Sequence, residues 1–334
     1  MTIRIKKDRI EFDTFTLRET ADGFTFDGII TAYQTQSAGF SQGSLYGFFG
    51  QGNNNSYERF PFATDGNSTP LGAGNFPAPK SNSASASSAT HGYSMSGTQG
   101  GGATTTAFKF PFAATDVKVT SINDMLGAVM AGSHQSKTHG YQSGGNATSV
   151  YVGKQPFASD TGFNYWVAFS PTLAKQAHAS ASDDNFGYGF GSSAPGAASA
   201  SNNWKFPFAS DGTAIALTAT LATAGEQFNR NAVNSRTHGF VHAGRTSPSV
   251  LASNIEKFAF ASDTPAARVS AIDDRQITTG VSGIAAGFLG GGTNLAGSPY
   301  FNTIYKFRFL TDSTSASIGT MAAGNFSGTG HQSS

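Results

Sequence analysis

The clearest pattern in this chain is alternation. In Trp204-Lys205-Phe206-Pro207-Phe208-Ala209 the aromatics fall at every second position, which puts Trp204, Phe206 and Phe208 on one face of a strand. Ala209-Ser210-Asp211-Gly212 then reads as a turn, because Asp bonds its own backbone and Gly accepts positive φ. A further strand follows in Ala214-Ile215-Ala216-Leu217-Thr218-Ala219-Thr220, and its counterpart earlier in the chain is Val117-Lys118-Val119-Thr120-Ser121-Ile122. A weaker segment, Ala131 to Lys137, leads into the aromatic strand at His139-Gly140-Tyr141.

These elements recur. A basic residue, an aromatic block and an Asp turn come six times, with the second aromatic at Phe62, Phe112, Phe157, Phe208, Phe260 and Phe309, spaced 50, 45, 51, 52 and 49 residues apart. The turn Asp residues are Asp65, Asp116, Asp160, Asp211, Asp263 and Asp312. A glycine-aromatic marker keeps step, with Gly47, Gly92, Gly140, Gly187, Gly239 and Gly287 spaced 45, 48, 47, 52 and 48. Four short strands in 45 to 52 residues, repeated six times, predict an all-β, six-bladed propeller with about 48 residues per blade. The Pro of the aromatic block is replaced by Ala259 and Arg308, so that position needs no ladder donor and has open space.

The ends predict closure. Gly330-His331-Gln332-Ser333-Ser334 nearly copies the segment before His139, yet no aromatic strand follows it. Leu45-Tyr46-Gly47-Phe48 supplies that strand from the other end of the chain. A ring sharing one blade between both termini leaves no open blade face.

Composition narrows the function. Only 12% of the 334 residues are charged, against 41 Gly and 29 Phe, which suits packed strands and tight turns rather than long solvated helices. The net charge of +1 offers no basic field for nucleic acid or an acidic membrane surface. With no cysteine, disulfides, zinc-thiolate sites and cysteine nucleophiles are excluded. No apolar run reaches the ~18 residues of a membrane-spanning helix. The opening Met1-Thr2-Ile3-Arg4-Ile5-Lys6-Lys7-Asp8 has no apolar stretch of the kind a signal peptide needs, so none is expected.

Glycine-aromatic strands, a Lys-aromatic-x-aromatic strand ending in Ser/Thr-Asp, and a Ser/Ala/Thr-rich strand together resemble the kelch-like propeller repeats of tailed-phage virion proteins, marine ones especially. The resemblance covers roughly residues 40 to 334, and the stretch from Ile3 to Ile30 is similar to the opening of such proteins. It departs from them in using Phe-Pro-Phe where an acidic or polar residue is expected at the Pro position. The resemblance implies a non-enzymatic structural, tail-fibre or host-attachment protein of a virion, assembled in the host cytoplasm. The alternative is a carbohydrate-binding or glycan-hydrolysing propeller.

The candidate chemistry mostly reads as structure. The repeated Asp residues resemble the Asp-boxes of sialidase-type propellers but lack their Trp, so they read as turn residues. His91, His139 and His238 share a repeat position with Tyr46, Phe186 and Ala286, as a packing position would. His238 and His242 stand four apart, but a zinc pair at that spacing needs a helix and this stretch reads as strand. Gly100-Gly101-Gly102 and Gly290-Gly291-Gly292 lack the Lys-Ser/Thr and helix of phosphate loops. The off-pattern acids Asp183-Asp184 and Asp273-Asp274 are the best candidates for a glycosidase pair and read as turn caps. We expect no catalytic, metal or cofactor residues.

Residues 1–37 break the repeat, and residues 38–334 form the predicted propeller. The first segment is dense in charge, with Arg4, Lys6, Lys7, Arg9 and Arg18 against Asp8, Glu11, Asp13, Glu19, Asp22 and Asp27. Alternation at Ile3, Ile5, Ile10 and Phe12 predicts short strands with one apolar face, which need a partner surface. The expected partners are the chain's own propeller, other virion proteins or further copies of the chain. A host glycan or receptor would meet the rim loops, expected at Ser94–Thr105 and Asp183–Asn203.

Overall fold

The computed structural model describes the chain apart from residues 1–2, 6–8, 13–14, 21–22, 29–41, 51, 53–56, 73–77, 114–118, 125–126, 146–149, 161–162, 170–176, 192–201, 223–230, 243, 248–249, 263–265, 313–314, 326 and 334. It divides into two compact units, Met1–Thr35 and Gln36–Ser334.

The N-terminal unit is a four-stranded antiparallel meander: β1 (Ile3–Ile5), β2 (Arg9–Phe12), β3 (Phe15–Thr20) and β4 (Gly23–Gly28). Register pairs Ile3 with Phe12, Ile5 with Ile10, Ile10 with Leu17, Leu17 with Phe26 and Glu19 with Phe24. Because successive residues alternate faces, every large apolar residue of the four strands falls on the same side.

The second unit holds six further four-stranded antiparallel sheets. The first strands of blades 2 to 6 are Ala84–Ser87, Gly132–Gln135, Ala179–Ser182, Asn231–Asn234 and Thr279–Ser282. Blade 1 takes its first strand, Thr329–Ser333, from the end of the chain and pairs it with Tyr46–Gly50, then Tyr57–Pro61 and Thr69–Pro70. These six first strands neighbour one another in a closed circuit around a central channel. The protein is therefore an all-β, six-bladed propeller preceded by a separate sheet. The weak segment before each glycine-aromatic strand is the innermost strand of its blade.

Both sequence markers have a packing cause. The glycine pairs with the first residue of the aromatic block, Gly47 with Phe60, Gly92 with Phe110, Gly187 with Phe206 and Gly287 with Phe307. The Phe ring lies over the glycine so closely that a Cβ at Gly187 would sit 2.6 Å from Phe206. The second aromatic crosses to the preceding blade and stacks on its glycine-aromatic residue. Phe112 lies 4.9 Å from Phe48, Phe157 4.8 Å from Tyr93, and Phe208 4.5 Å from Tyr141. Phe260 lies 4.6 Å from Tyr188, Phe309 4.8 Å from Phe240, and Phe62 4.9 Å from Phe288. Trp204, Phe206 and Phe208 join one cluster with Tyr141 and Val152 of blade 3.

Candidate functional site

Strand direction gives the ring two different faces. Each first strand ends in a tight turn, and each third strand ends in the Asp turn beside it, since His91 pairs with Pro111 and Gly92 with Ser87. This is the turn face. Links from second to third strand, and from fourth strand to the next blade, lie at the opposite loop face.

Turn-face chemistry is local and structural. In Ser88-Ala89-Thr90-His91 the Ser88 hydroxyl accepts the amides of Thr90 (3.3 Å) and His91 (2.9 Å), and Ser136 and Ser235 repeat the motif. His91, His139 and His238 each bond the preceding Thr hydroxyl through Nδ1, at 2.9, 2.8 and 2.8 Å. Burial, then the neighbouring Lys109, Lys154 or Lys257, holds these imidazoles below their usual pKa.

The motif Asp residues do more than turn the chain. Lys109 binds Asp160 at 2.5 Å, Lys154 binds Asp211 at 2.6 Å, Lys257 binds Asp312 at 3.0 Å and Lys306 binds Asp65 at 2.7 Å. Each pair joins the third strand of one blade to the Asp turn of the next. Asp116 and Asp263 lie outside the described residues.

The acid pairs are also engaged. Asp183 caps the amides of Asn185 and Phe186, both at 2.7 Å, and accepts the Tyr188 hydroxyl at 2.8 Å. Asp273 accepts the Tyr305 hydroxyl and pairs with buried Arg275 at 2.9 Å. The Tyr305 bond and Arg275 lower the Asp273 pKa, while burial and Asp273 push the Tyr305 phenol up to about 12. Arg275 also lies 4.5 Å over the Phe301 ring.

The central channel, about 140 Å³, is lined by Ser85, Ser133, Ser180, Asn234, Ser282 and their neighbours, without a charged side chain among them. Its wall is stitched from blade to blade. The Ser85 amide donates to the Ser133 hydroxyl and the Ser133 amide to the Ser180 hydroxyl, both at 2.8 Å. A second tier alternates Ser87, Gln135, Ser182, Asn234, Ser282 and Gln332. There Ser87 N–H donates to Gln135 Oε1 (2.7 Å), and Gln332 N–H donates to Ser87 Oγ (3.1 Å).

The channel mouths differ. At the loop face Asn82, Met130, Ala177, Ile277 and Ser327 hold φ between 54° and 61°, an uncommon state for residues with a Cβ. That twist aims four of the five amides at a neighbouring blade: Asn82 to Ser327 O (3.0 Å), Met130 to Asn82 O (3.1 Å), Ala177 to Met130 O (2.9 Å) and Ser327 to Ile277 O (3.0 Å). At the turn face Gln42 Nε2 donates to Asn234 O and Gly283 O, both at 3.0 Å, and Gly43 N–H donates to Ser282 O at 3.0 Å. The chain thus joins the ring at the turn-face mouth.

The repeat assigned no role to several buried polar residues. His134 and His331 sit in seams between blades, donating Nδ1–H to Ala181 O (3.1 Å) and Ala86 O (3.0 Å). Their Nε2 atoms accept from Ser143 (2.7 Å) and Tyr57 (3.1 Å). Burial pushes both imidazoles down to about 4. Glu58 and Glu256 accept the amides of Ala322 (2.8 Å) and Ala222 (2.7 Å) in the preceding blades. Buried Lys80 reaches Thr106 O at 2.6 Å, and burial lowers its pKa to about 7.

The expected rim loops divide. The Ser94–Thr105 stretch starts within the strand His91–Met95 and continues at the loop face, with short strands at Thr98–Gln99 and Gly102–Ala103. The Asp183–Asn203 stretch is not one loop. Asp183–Asn185 form a turn at the turn face, Phe186–Phe190 is a strand, and residues 192–201 lie outside the described residues. The loop face also exposes Leu295 and Tyr300.

Neither a protein-family model nor a curated protein matches the chain. Among solved structures it is similar to YjhT, a kelch-repeat propeller protein, with a TM-score of 0.61 at 12% identity, over 77% of this chain and 90% of that one. At that identity the similarity concerns the fold, which is a propeller of the kelch type.

Proposed function

We propose that the protein is a non-enzymatic structural or host-attachment component of a tailed-phage virion, anchored by its N-terminal sheet and presenting the propeller outward. The observation that carries this reading is the polarity of the ring. Gln42 and Gly43, the first described residues of the second unit, bond at the turn face, where connections are short and bonded between blades. The longer connections lie at the other face, beyond the inter-blade bonds of Asn82, Met130, Ala177 and Ser327 at its channel mouth. An anchored platform requires that separation, and an array of loops on a rigid scaffold is a common recognition surface.

The engagement of Asp183 and Asp273 in caps and ion pairs favours binding over glycan hydrolysis, since a glycosidase needs two carboxylates free to act across one bond. The loop face would meet a host glycan or receptor, and the N-terminal sheet other virion proteins. Deleting residues 1–35 should leave a folded ring that is absent from assembled particles. Grafting foreign loops at 96–105 should leave particle assembly intact and change adsorption to host cells. Normal incorporation of the truncated ring would refute the anchoring role, and glycan cleavage by the purified protein would favour a hydrolase.

A further inference from the structure

We propose that the outer edge of blade 3, the strand Asn164–Val167, receives an extended segment of a second polypeptide as a fifth strand. This goes beyond the anchoring role given to the N-terminal sheet and does not depend on it. The sheet order ends at this strand, so one of its edges pairs with Tyr151–Pro156 and the other with no strand among the described residues. One bond fixes which way its backbone groups point: the Ala168 amide donates inward to Val150 O at 3.0 Å. Inward and outward residues alternate in an antiparallel ladder, so Trp166 and Asn164 also turn inward. Tyr165 and Val167 therefore turn their N–H and C=O groups outward, and they are 57% and 60% exposed.

The outer edges of the other five blades are blunted. The ladder to the outer strand is broken by a register shift between Thr106 and Ala107 in blade 2 and between Asn202 and Trp204 in blade 4. The same break falls between Ile255 and Glu256 in blade 5 and between Ile304 and Tyr305 in blade 6. Blade 1 has only Thr69 and Pro70 there. Bulges and prolines are devices that keep an edge from pairing with another chain. Blade 3 keeps an unbroken register, from Tyr151 with Val167 to Lys154 with Asn164, and its outer strand holds no proline, glycine or charge.

The strand is also fixed in place before any partner arrives. Trp166 donates Nε1–H to Gly212 O of blade 4 at 3.0 Å. On the other side the Phe163 ring lies over Gly153, where a Cβ would sit 2.1 Å from it, and packs against the cluster of Ala84, Met95 and Ile122 in blade 2. Strand addition here costs little ordering of the ring.

The chemistry of the edge selects its occupant. Outward N–H and C=O groups at every second residue are matched by an extended backbone, not by a helix. Tyr165 and Val167 share a face with Tyr151, whose ring lies 5.6 Å from that of Tyr165, so aromatic or β-branched residues of the incoming strand suit the positions beside them. A second copy of the ring is a poorer fit. Four extended residues span only about 13 Å. Two rigid rings meeting along that length fall well short of the ~800 Å² per partner of a standard interface. A flexible segment can run on past the ends of the edge.

The probe is a fluorescent heptapeptide of alternating threonine and valine, added to the full chain. It should bind saturably, and hydrogen exchange should slow at the amides of Tyr165 and Val167 but not in the outer strands of blades 2, 4, 5 and 6. The same peptide with every amide N-methylated should bind about tenfold more weakly, the worth of one to two hydrogen bonds. Tyr165→Pro removes an outward donor and no inward ladder bond, so it should melt like the wild type and bind more weakly than Tyr165→Ala, which loses the ring alone. Absence of binding at millimolar peptide, protection elsewhere on the ring, equal binding of the N-methylated peptide, or Tyr165→Pro binding as well as Tyr165→Ala overturns the proposal. So does a wild-type chain that sediments as a dimer and becomes monomeric with Tyr165→Pro, which would make the occupant a second copy.

Discussion

Phe62 stacks on Phe288 across the junction between blade 1 and blade 6, with centroids 4.9 Å apart and planes inclined by 28°. The two residues lie near opposite ends of the propeller sequence, yet the contact matches those made between neighbouring blades elsewhere. The ring closes with the same chemistry it uses at every step, and Lys306 reaching Asp65 at 2.7 Å repeats the ion pair as well.

The aromatic block should respond unevenly to truncation. Phe206 is fully buried between blades 3 and 4, so Phe206→Ala should cost about 3–5 kcal/mol. Phe208 is half-buried, and its truncation should cost less while still lowering the melting temperature clearly. Pro207→Ala should be nearly silent, as Ala259 fills that position in blade 5. Denaturant melts of the three variants should rank in that order. Equal losses would mean that the strand faces are reversed.

Glycine is required where a ring covers it and dispensable where the added methyl meets nothing and φ is negative. Gly187→Ala puts a methyl 2.6 Å from the Phe206 ring, and such overpacking costs roughly 1–3 kcal/mol. A methyl added at Gly66 would meet nothing within 4 Å, so Gly66→Ala should leave the melting temperature unchanged.

Stability should fall in mild acid. His134 and His331 are held neutral by burial, with folded pKa values of about 4 against about 6.5 when unfolded. Between those values the unfolded chain takes up protons that the folded one does not. Stability is therefore complete above pH ~6.5 and is lost as pH falls towards 4, by about 3 kcal/mol per residue. The double variant His134→Asn, His331→Asn should be less stable at pH 7 but show a flatter pH profile. An equally steep profile in that variant would assign the acid sensitivity to other groups.

The ring of ion pairs should matter little. Asp211 is 49% exposed, and exposed pairs contribute about 0–1 kcal/mol, less in salt. Asp211→Asn should shift the melting temperature slightly at low ionic strength and not measurably at about 1 M salt, where the screening length is only ~3 Å.

The fold was legible because its two markers are the two halves of one contact. Only glycine admits the first Phe over the adjacent strand, and only an aromatic at Phe208 or Phe260 reaches the previous blade. The ion pairs were hidden because partners such as Lys154 and Asp211 belong to different repeats, so a reading within one repeat assigned the Asp to its turn alone. Glu58 and Lys80 were invisible for the opposite reason, and His134 and His331 were legible only as the match between two segments that predicted closure, not as seam residues. Each occupies a repeat position that other blades fill with Ala, Val, Phe or other residues, and only the local seam calls for a polar group. The N-terminal sheet showed its apolar alternation, but its four-strand register needed the backbone.

The most direct test of the anchored-platform account is a density map of the assembled particle. The account predicts residues 3–28 buried against a neighbouring chain, the turn face of the ring towards the particle and the loop face towards solvent. A map with the N-terminal sheet standing free, or with the loop face buried against the particle, would contradict it.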